Sequence, residues 1–384
     1  MRRAVFHDDH EVFRARMRDF IAAEVTPHYG EWEAAGRVPR DFYGQLGKLG
    51  IFGFGIPREY GGSGPTSFTF NAVIAEECAR AGVTFGGASA HLALPATFVK
   101  YTTREQKERW LPGFVTGELM TAIAITEPGA GSDVAGLQTA AELSEDATHY
   151  VVNGVKAFVS GGAQADLVLV VCRTPGADPS DRRGGMSLLA VDTRAQGVVV
   201  SAEPPTLGLR SSDIVEMTFT DVRVPVGDVV GGLGNAFSCL ADIFAQERLG
   251  IAVGAYAHAA GAVHFATEYV KERTAFGKPV AAFQNTKFVL ADCKAEVDAL
   301  QAVVDRALGA FDAGELTADE AASVKLFCTD AAARVIDKCV QLHGGYGFVM
   351  DHAIARLYAD NRASRIFGGT SEIMRTIVAK SMGL

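Results

Sequence analysis

The chain has 384 residues, 48% of them hydrophobic and 21% charged, with a formal charge of −9 and a mean hydropathy of +0.13. That length predicts two or three packed regions, and the acidic balance argues against general nucleic-acid binding, which draws on basic surface to displace counterions. The longest apolar runs, such as 167–172, fall far short of the roughly 20 residues that a membrane span needs, so no span is expected and part of the apolar excess is assigned to subunit interfaces. Six scattered cysteines (Cys78, Cys172, Cys239, Cys293, Cys328 and Cys339) form no C-x-x-C pair and read as buried thiols in a reducing compartment, with no metal-site spacing. Arg2 and Arg3 are followed by Asp8, Asp9 and Glu11 rather than by an apolar stretch. No signal peptide is read there, and the cytoplasm is the expected location.

Residues 1–118 read as a helical region. Phe13, Met17, Phe20, Ile21 and Val25 recur every three or four residues, placing them on one helix face that Pro27 ends. Further helices are predicted over 41–49, 68–81 and 92–101, with another starting near Thr103. From 119 to 230 the pattern changes to short β-rich runs broken by glycine, proline and aspartate. Asn153-Gly154 stands between 150–152 and 155–159 and predicts a hairpin, because Asn-Gly tolerates the positive φ of a type I′ turn. Further strands are predicted over 167–172, 187–191, 198–201 and 214–219. Their spacing suggests a small barrel or sandwich rather than a parallel sheet. From 231 to 384 the chain is helical again: Leu290, Cys293, Val297, Leu300, Val304, Leu308 and Phe311 step as in a bundle helix, and 318–342 forms another long helix. An α+β chain, helical then β then helical, follows from pattern alone.

Three segments carry more than architecture. Ile125-Thr126-Glu127-Pro128-Gly129-Ala130-Gly131-Ser132-Asp133 combines glycines that allow close backbone approach with two hydroxyls. It is also compatible with a plain glycine-rich turn. Arg273-Thr274-Ala275-Phe276-Gly277, with Gln284 beyond, could recognise phosphate or could be a solvated helix end. Gln341-Leu342-His343-Gly344-Gly345-Tyr346-Gly347 is by itself a common helix C-cap.

In this order, and together with 153–160, 208–225 and the Ser371-Glu372-Ile373-Met374-Arg375 tail, these segments resemble the acyl-CoA dehydrogenase family over nearly the whole chain. The resemblance implies an N-terminal helical domain, a β-barrel-like middle domain and a C-terminal four-helix bundle. It also implies FAD as cofactor and acyl-CoA as substrate, with electron transfer flavoprotein as acceptor and a homotetrameric assembly. It places Ile123, Ala124, Ile125, Thr126, Gly131 and Ser132 along the flavin ring, with Ser132 also meeting acyl-CoA. Phe158, Val159 and Ser160 cover the outer flavin face, where many members carry tryptophan; phenylalanine keeps an aromatic wall but loses the indole donor. Arg273, Phe276, Phe283, Gln284, Gln341, Leu342, Gly344 and Gly345 match residues that hold the FAD pyrophosphate and adenine, several of them reaching across from a neighbouring subunit. Thr370 and Glu372 match a tail that also touches FAD. On the substrate side the resemblance adds Phe244, Arg248, Phe367, Gly368, Gly369 and Arg375. Arg248 reads either as the family arginine that orients the tail or as a surface ion pair. His343 reads as structural and Asp133 as a turn residue.

One position departs from the commonest family pattern. Many members carry the catalytic glutamate where this chain has Gly368, and glycine has no proton acceptor in its side chain. In the long-chain and isovaleryl branches the base is a glutamate matching Glu247, and a small residue stands where Gly368 is. Both halves of that linked pattern are present here. A carboxylate in an apolar cleft has its pKa raised toward the range useful for removing an α-proton, and Gly368 keeps the backbone N–H that the family directs at the thioester oxygen. Glu247 could also be an ordinary charged residue near a helix start. The sequence leaves open an acyl-carrier-protein-linked dehydrogenase and a catalytically silent flavoprotein partner.

Overall fold

The computed structural model describes residues 3–175, 184–202 and 204–384. The first region is built from seven helices: α1 (Asp8–Phe20), α2 (Tyr29–Ala35), α3 (Arg40–Lys48), α4 (Thr69–Ala81), α5 (Ala88–Leu92), α6 (Pro95–Tyr101) and α7 (Arg104–Thr116). The Phe13–Val25 stripe does face one core, but its last turn, Ile21–Val25, is a π-turn closed by Thr26 N–H on Ile21 O at 2.9 Å. A stripe that steps by four outruns a 3.6-residue helix, and the wider turn keeps Ile21 and Val25 on the buried side. The helix predicted over 92–101 starts three residues later, at Pro95, which has no N–H to continue α5 and opens α6 instead. α7 begins where Thr103 and Gln106 cap each other reciprocally and ends at Gly117, φ +76°.

The middle region holds one sheet: β1 (Thr121–Ala124), β2 (Ala140–Leu143), β3 (His149–Val159), β4 (Leu167–Arg173), β5 (Met186–Asp192), β6 (Val198–Val200), β7 (Val215–Pro225) and β8 (Val229–Val230). The order is β6-β7-β3-β2-β4-β5-β8, antiparallel except that β1 and the end of β2 run parallel to β4. The sheet curls, so that Val152, Met217 and Phe219 from one half share a core with Val168, Val170 and Leu189 from the other. On β4 and β5 the alternate residues Leu167, Leu169, Val171 and Leu188 face outward into α6, α7 and the following long helix. Both faces of these two strands are buried, which explains their unbroken apolar sequence.

The expected hairpin at Asn153-Gly154 does not form. β3 runs straight through both residues, and the pairing with β7 slips by a bulge between Val152 and Gly154. Gly154 has φ +152°, and a side chain there would overlap Thr139, while Asn153 binds Asp221 through both its amide atoms. Asn-Gly therefore serves a bulge and a close crossing of β2 instead of a reversal.

The last region contains α8 (Ala236–Glu272), the short ribbon β9 (Thr274–Ala275) and β10 (Lys278–Pro279), α9 (Gln284–Asp312), α10 (Ala318–His343), α11 (Ala353–Arg362) and α12 (Ser371–Ser381). α8, α9, α10 and α11 enclose a single core, onto which α4 also packs. One expectation needs correcting. α8 is long and apolar enough to cross a membrane by length and composition alone, and 61% of its apolar window is buried. It is the central helix of the bundle, and its many alanines and glycines let neighbours approach closely. A side chain at Gly261 would stand 2.6 Å from Ala79 O of α4.

Candidate functional site

α8 carries Phe244, Glu247, Arg248 and Ile251 on consecutive turns, facing the loop 366–370 that precedes α12. The loop turns through Gly368 (φ +62°) and Gly369 (φ +93°), conformations that L side chains rarely adopt. A Cβ added at Gly368 would stand 3.7 Å from both Cδ and Oε1 of Glu247, and would overlap Ile251 Cδ1. The Glu247 carboxyl thus occupies the space beside the residue where a glutamate is absent. It makes no hydrogen bond or ion pair within 4 Å among the described residues. Burial pushes its pKa up, against the opposing pull of Arg248 and Lys325. An unpartnered carboxyl with a raised pKa is chemically a proton acceptor in waiting. Arg248 is buried; its Nε donates to Gly368 O at 3.3 Å and its guanidinium lies 5.5 Å from the Phe244 ring centroid. The surface ion-pair reading of Arg248 is set aside by this burial.

The second group of expected residues lies on the middle domain. Thr126 O accepts from Ala157 N–H at 2.8 Å, tying the 125–132 segment to β3, and Glu127 pairs with Ala130 to close a small turn. Behind it Lys156 Nζ meets Glu127 Oε1 at 2.8 Å and Ile125 O at 3.1 Å, and the Glu127 carboxylate also accepts the N–H groups of Gln138 and Thr139. Burial alone would raise the Glu127 pKa, but these bonds hold it below the usual value. Ser132 and the open glycines Gly129 and Gly131 are exposed, with nothing near a Cβ at either glycine. Phe158 presents a ring that is 71% exposed on a backbone with φ +57°. Leaving so large a ring in water costs free energy unless something covers it, and the positive φ adds backbone strain that the rest of the fold must offset. Ala124 and Val159 differ from expectation: both side chains are buried in the sheet core, which leaves only main-chain atoms to offer a cofactor. Strand alternation sends Ile123 to the opposite face.

The third group is far from the first. Arg273 lies 26 residues beyond Glu247, on the order of 40 Å along a helix. There Arg273, Gln341, Leu342, Gly344 and Gly345 line a groove of about 490 Å³ with Tyr269, Val280 and Tyr346. Phe276 and Phe283 stand edge to face beside it, and Gln284 opens α9 in the exposed first turn. His343 is buried, bonds Cys339 O through Nδ1 at 2.8 Å and stacks on Tyr269, a structural role. Thr370 spends its hydroxyl capping α12 on Ile373 N–H, and Arg375 reaches Asp330 at 3.1 Å and Glu372 at 3.4 Å. Glu372 and Phe367 remain exposed.

Family models for the N-terminal, middle and C-terminal domains of acyl-CoA dehydrogenase match residues 7–118, 122–222 and 237–383. The long-chain specific acyl-CoA dehydrogenase of Mus musculus mitochondria is 35% identical over 381 residues, 99% of this chain and 88% of that one. The chain belongs to the acyl-CoA dehydrogenase family. Acyl-CoA dehydrogenases are oxidoreductases that act on acyl-CoA and use FAD. The solved acyl-CoA dehydrogenase of Geobacillus kaustophilus is 38% identical, with a TM-score of 0.95 over the full length of both chains. One from Bacillus anthracis, solved with FAD, is 30% identical with a TM-score of 0.88, covering 98% of this chain and 68% of that one. The donor set fits this dinucleotide: open glycines and an uncovered aromatic on the middle domain suit a planar ring, and Arg273 beside a glycine-lined groove suits a pyrophosphate.

The site of this acyl-CoA dehydrogenase includes groups that the sequence reading passed over. Lys325 is fully buried on α10 and its Nζ donates to Gly369 O at 2.6 Å. A signal was available: its charge interrupts the uncharged helix face of Ala321, Ala322, Cys328, Thr329, Ala332, Val335 and Cys339. The Glu127–Lys156 pair was also passed over, although both residues lay inside segments singled out for other reasons.

Proposed function

We propose that the chain removes two hydrogens from the α and β carbons of a fatty acyl-CoA, giving the trans-2-enoyl-CoA, with Glu247 as the base. The observation that carries this reading is the free Glu247 carboxyl, 3.7 Å from where a Gly368 side chain would begin. Glu247 takes the α-proton onto a carboxylate oxygen; the β-carbon loses hydride, and the electron pair of the broken α C–H bond becomes the new double bond. Bound FAD supplies the hydride acceptor. Gly368 N–H is the donor assigned to the thioester oxygen, and Arg248 holds that residue's carbonyl so the loop cannot turn away. Burial of Glu247 outweighs the pull of Arg248 and Lys325 and keeps the proton affinity of the carboxylate raised, as removal of a weakly acidic C–H requires.

On the same reading, Ser132, Thr126 and Phe158 line the ring end of FAD, and Arg273, Phe276, Gln284, Gln341, Gly344 and Gly345 hold the adenine end contributed to a neighbouring subunit. The separation of some 40 Å along α8 supports sharing, because one extended dinucleotide beside Glu247 cannot also reach the Arg273 groove of its own chain. The assembly we assign is a homotetramer, with domain limits at 1–118, 119–230 and 231–384. Electrons leave to electron transfer flavoprotein. Six free, buried thiols suit the reducing cytoplasm. The deciding experiment is anaerobic addition of acyl-CoA to the FAD-loaded protein, which bleaches the flavin band in wild type. A Glu247→Gln protein that keeps FAD and still bleaches at the wild-type rate overturns the assignment.

A further inference from the structure

Lysine on the inner face of a helix ordinarily finds a carboxylate partner. Lys325 forms no ion pair within 4 Å among the described residues, and donates instead to the carbonyl of Gly369 at 2.6 Å. One residue earlier in the loop, Gly368 O accepts from Arg248 Nε at 3.3 Å. Two cations, one from α10 and one from α8, therefore grip two consecutive carbonyls of a loop that glycine would otherwise leave free to turn. Charge-assisted bonds of this kind are about twice as strong as neutral ones.

We propose that Lys325 is a positioning residue for the reaction: by holding Gly369 O from inside the bundle it fixes the Gly368–Gly369 turn against the Glu247 carboxyl. This rests on the reading of Glu247 as base. The turn sets both the distance from the base to the acyl α-carbon and the direction of Gly368 N–H toward the thioester oxygen. Arg248 alone leaves the second peptide plane unrestrained, and a displacement of about 1 Å in such a constellation costs on the order of 100-fold in rate.

The charge of Lys325 gives this role a pH signature. Burial lowers its pKa to about 8; Arg248 pushes the same way, while Glu247, Asp330 and Glu372 oppose. Below that value the ammonium is present, grips the loop and favours the ionised form of Glu247. Above it the amine is neutral and the grip weakens. The wild-type rate therefore has an alkaline limb near pH 8, separate from the acid limb on which Glu247 ionises.

The test uses FAD-loaded, full-length wild type, Lys325→Met and Lys325→Arg, mixed anaerobically with octanoyl-CoA or palmitoyl-CoA between about pH 6 and 10 while the flavin band is followed. Lys325→Met is expected to keep FAD, to bleach roughly 10- to 100-fold more slowly and to show its acid limb at higher pH, because a cation beside Glu247 is gone. Lys325→Arg keeps its charge across the range and is expected to lose the alkaline limb. The proposal is overturned if Lys325→Met has the wild-type rate and profile, or if wild type has no alkaline limb. Should Lys325→Met fail to fold, an alkaline limb in Lys325→Arg identical to that of wild type overturns it equally. Wild-type bleaching by Glu247→Gln, by contrast, removes the base assignment itself, so the two failures are distinguishable.

Discussion

The two ends of α8 are built differently. Near its start the helix carries Glu247 and Arg248 against a loop from the same chain, with Ile251 packed on Gly368 and Lys325 closing the back. Near its end it delivers Arg273 to an open groove beside Phe276 and Phe348, which are 94% and 93% exposed. Apolar rings left in water at that density are the usual mark of an interaction surface, the role that the proposed assembly gives them. The first end is enclosed by its own chain, and the second lies open. A catalytic carboxyl depends on fixed burial and on positions within tenths of an ångström, which one folded bundle provides; a long dinucleotide can be gripped at its far end by whatever surface reaches it.

The contrast can be broken from either end. The largest effect belongs to Glu247→Gln: the flavin-bleaching rate with acyl-CoA is expected to fall about 1000-fold, the middle of the range for losing a general base, with FAD per subunit unchanged by absorbance. Arg273→Ala should do the reverse. Losing one charged hydrogen bond to phosphate weakens FAD binding by roughly 10- to 100-fold, read as flavin lost on gel filtration, while the protein reloaded with excess FAD bleaches normally. Phe348→Asp tests whether the exposed rings are interface: subunit association should weaken by about 30-fold or more, as for a hot-spot aromatic, seen as smaller species by sedimentation. An unchanged assembly would place the interface elsewhere.

The smallest effect is on stability. The folded-state pKa of Glu247 is raised by burial, so its contribution to stability is present below its unfolded value and is lost as pH rises through the folded value. Glu247→Gln is therefore expected to raise the melting temperature of the FAD-free protein at pH 8, with the gain shrinking toward pH 4. No gain at pH 8 would mean that the carboxyl is better solvated than its surroundings imply.

Much of the fold is legible in the sequence. The stripe Cys293, Val297, Leu300, Val304 and Leu308 is buried as its spacing requires, and Thr103 starts α7 as an N-cap should. The strands at 167–172 and 187–191 are strands. Asn153-Gly154 does not by itself separate a hairpin from a bulge, because both need unusual backbone at a glycine and only the partner strand distinguishes them. Pro95 marks the true start of the helix predicted over 92–101. β1 and β2 were not individually foreseen: four-residue strands offer too short a pattern, and their partner β4 is distant in sequence. Family position puts Ala124 and Val159 among the flavin contacts, while strand alternation turns their side chains inward.

By itself the sequence determined the helical, β, helical order, the caps and stripes of the long helices, the loss of a side chain at Gly368 and the presence of a carboxylate at 247. Those are local properties, written in residues at most a few turns apart. Tertiary structure decided that Glu247 and Gly368 touch, that Lys325 reaches Gly369 and that Arg273 does not share their cleft. Such contacts join residues that are far apart along the chain, or separate ones on a single helix. They follow from how α8, α10 and the loop before α12 pack together, which no short-range pattern encodes.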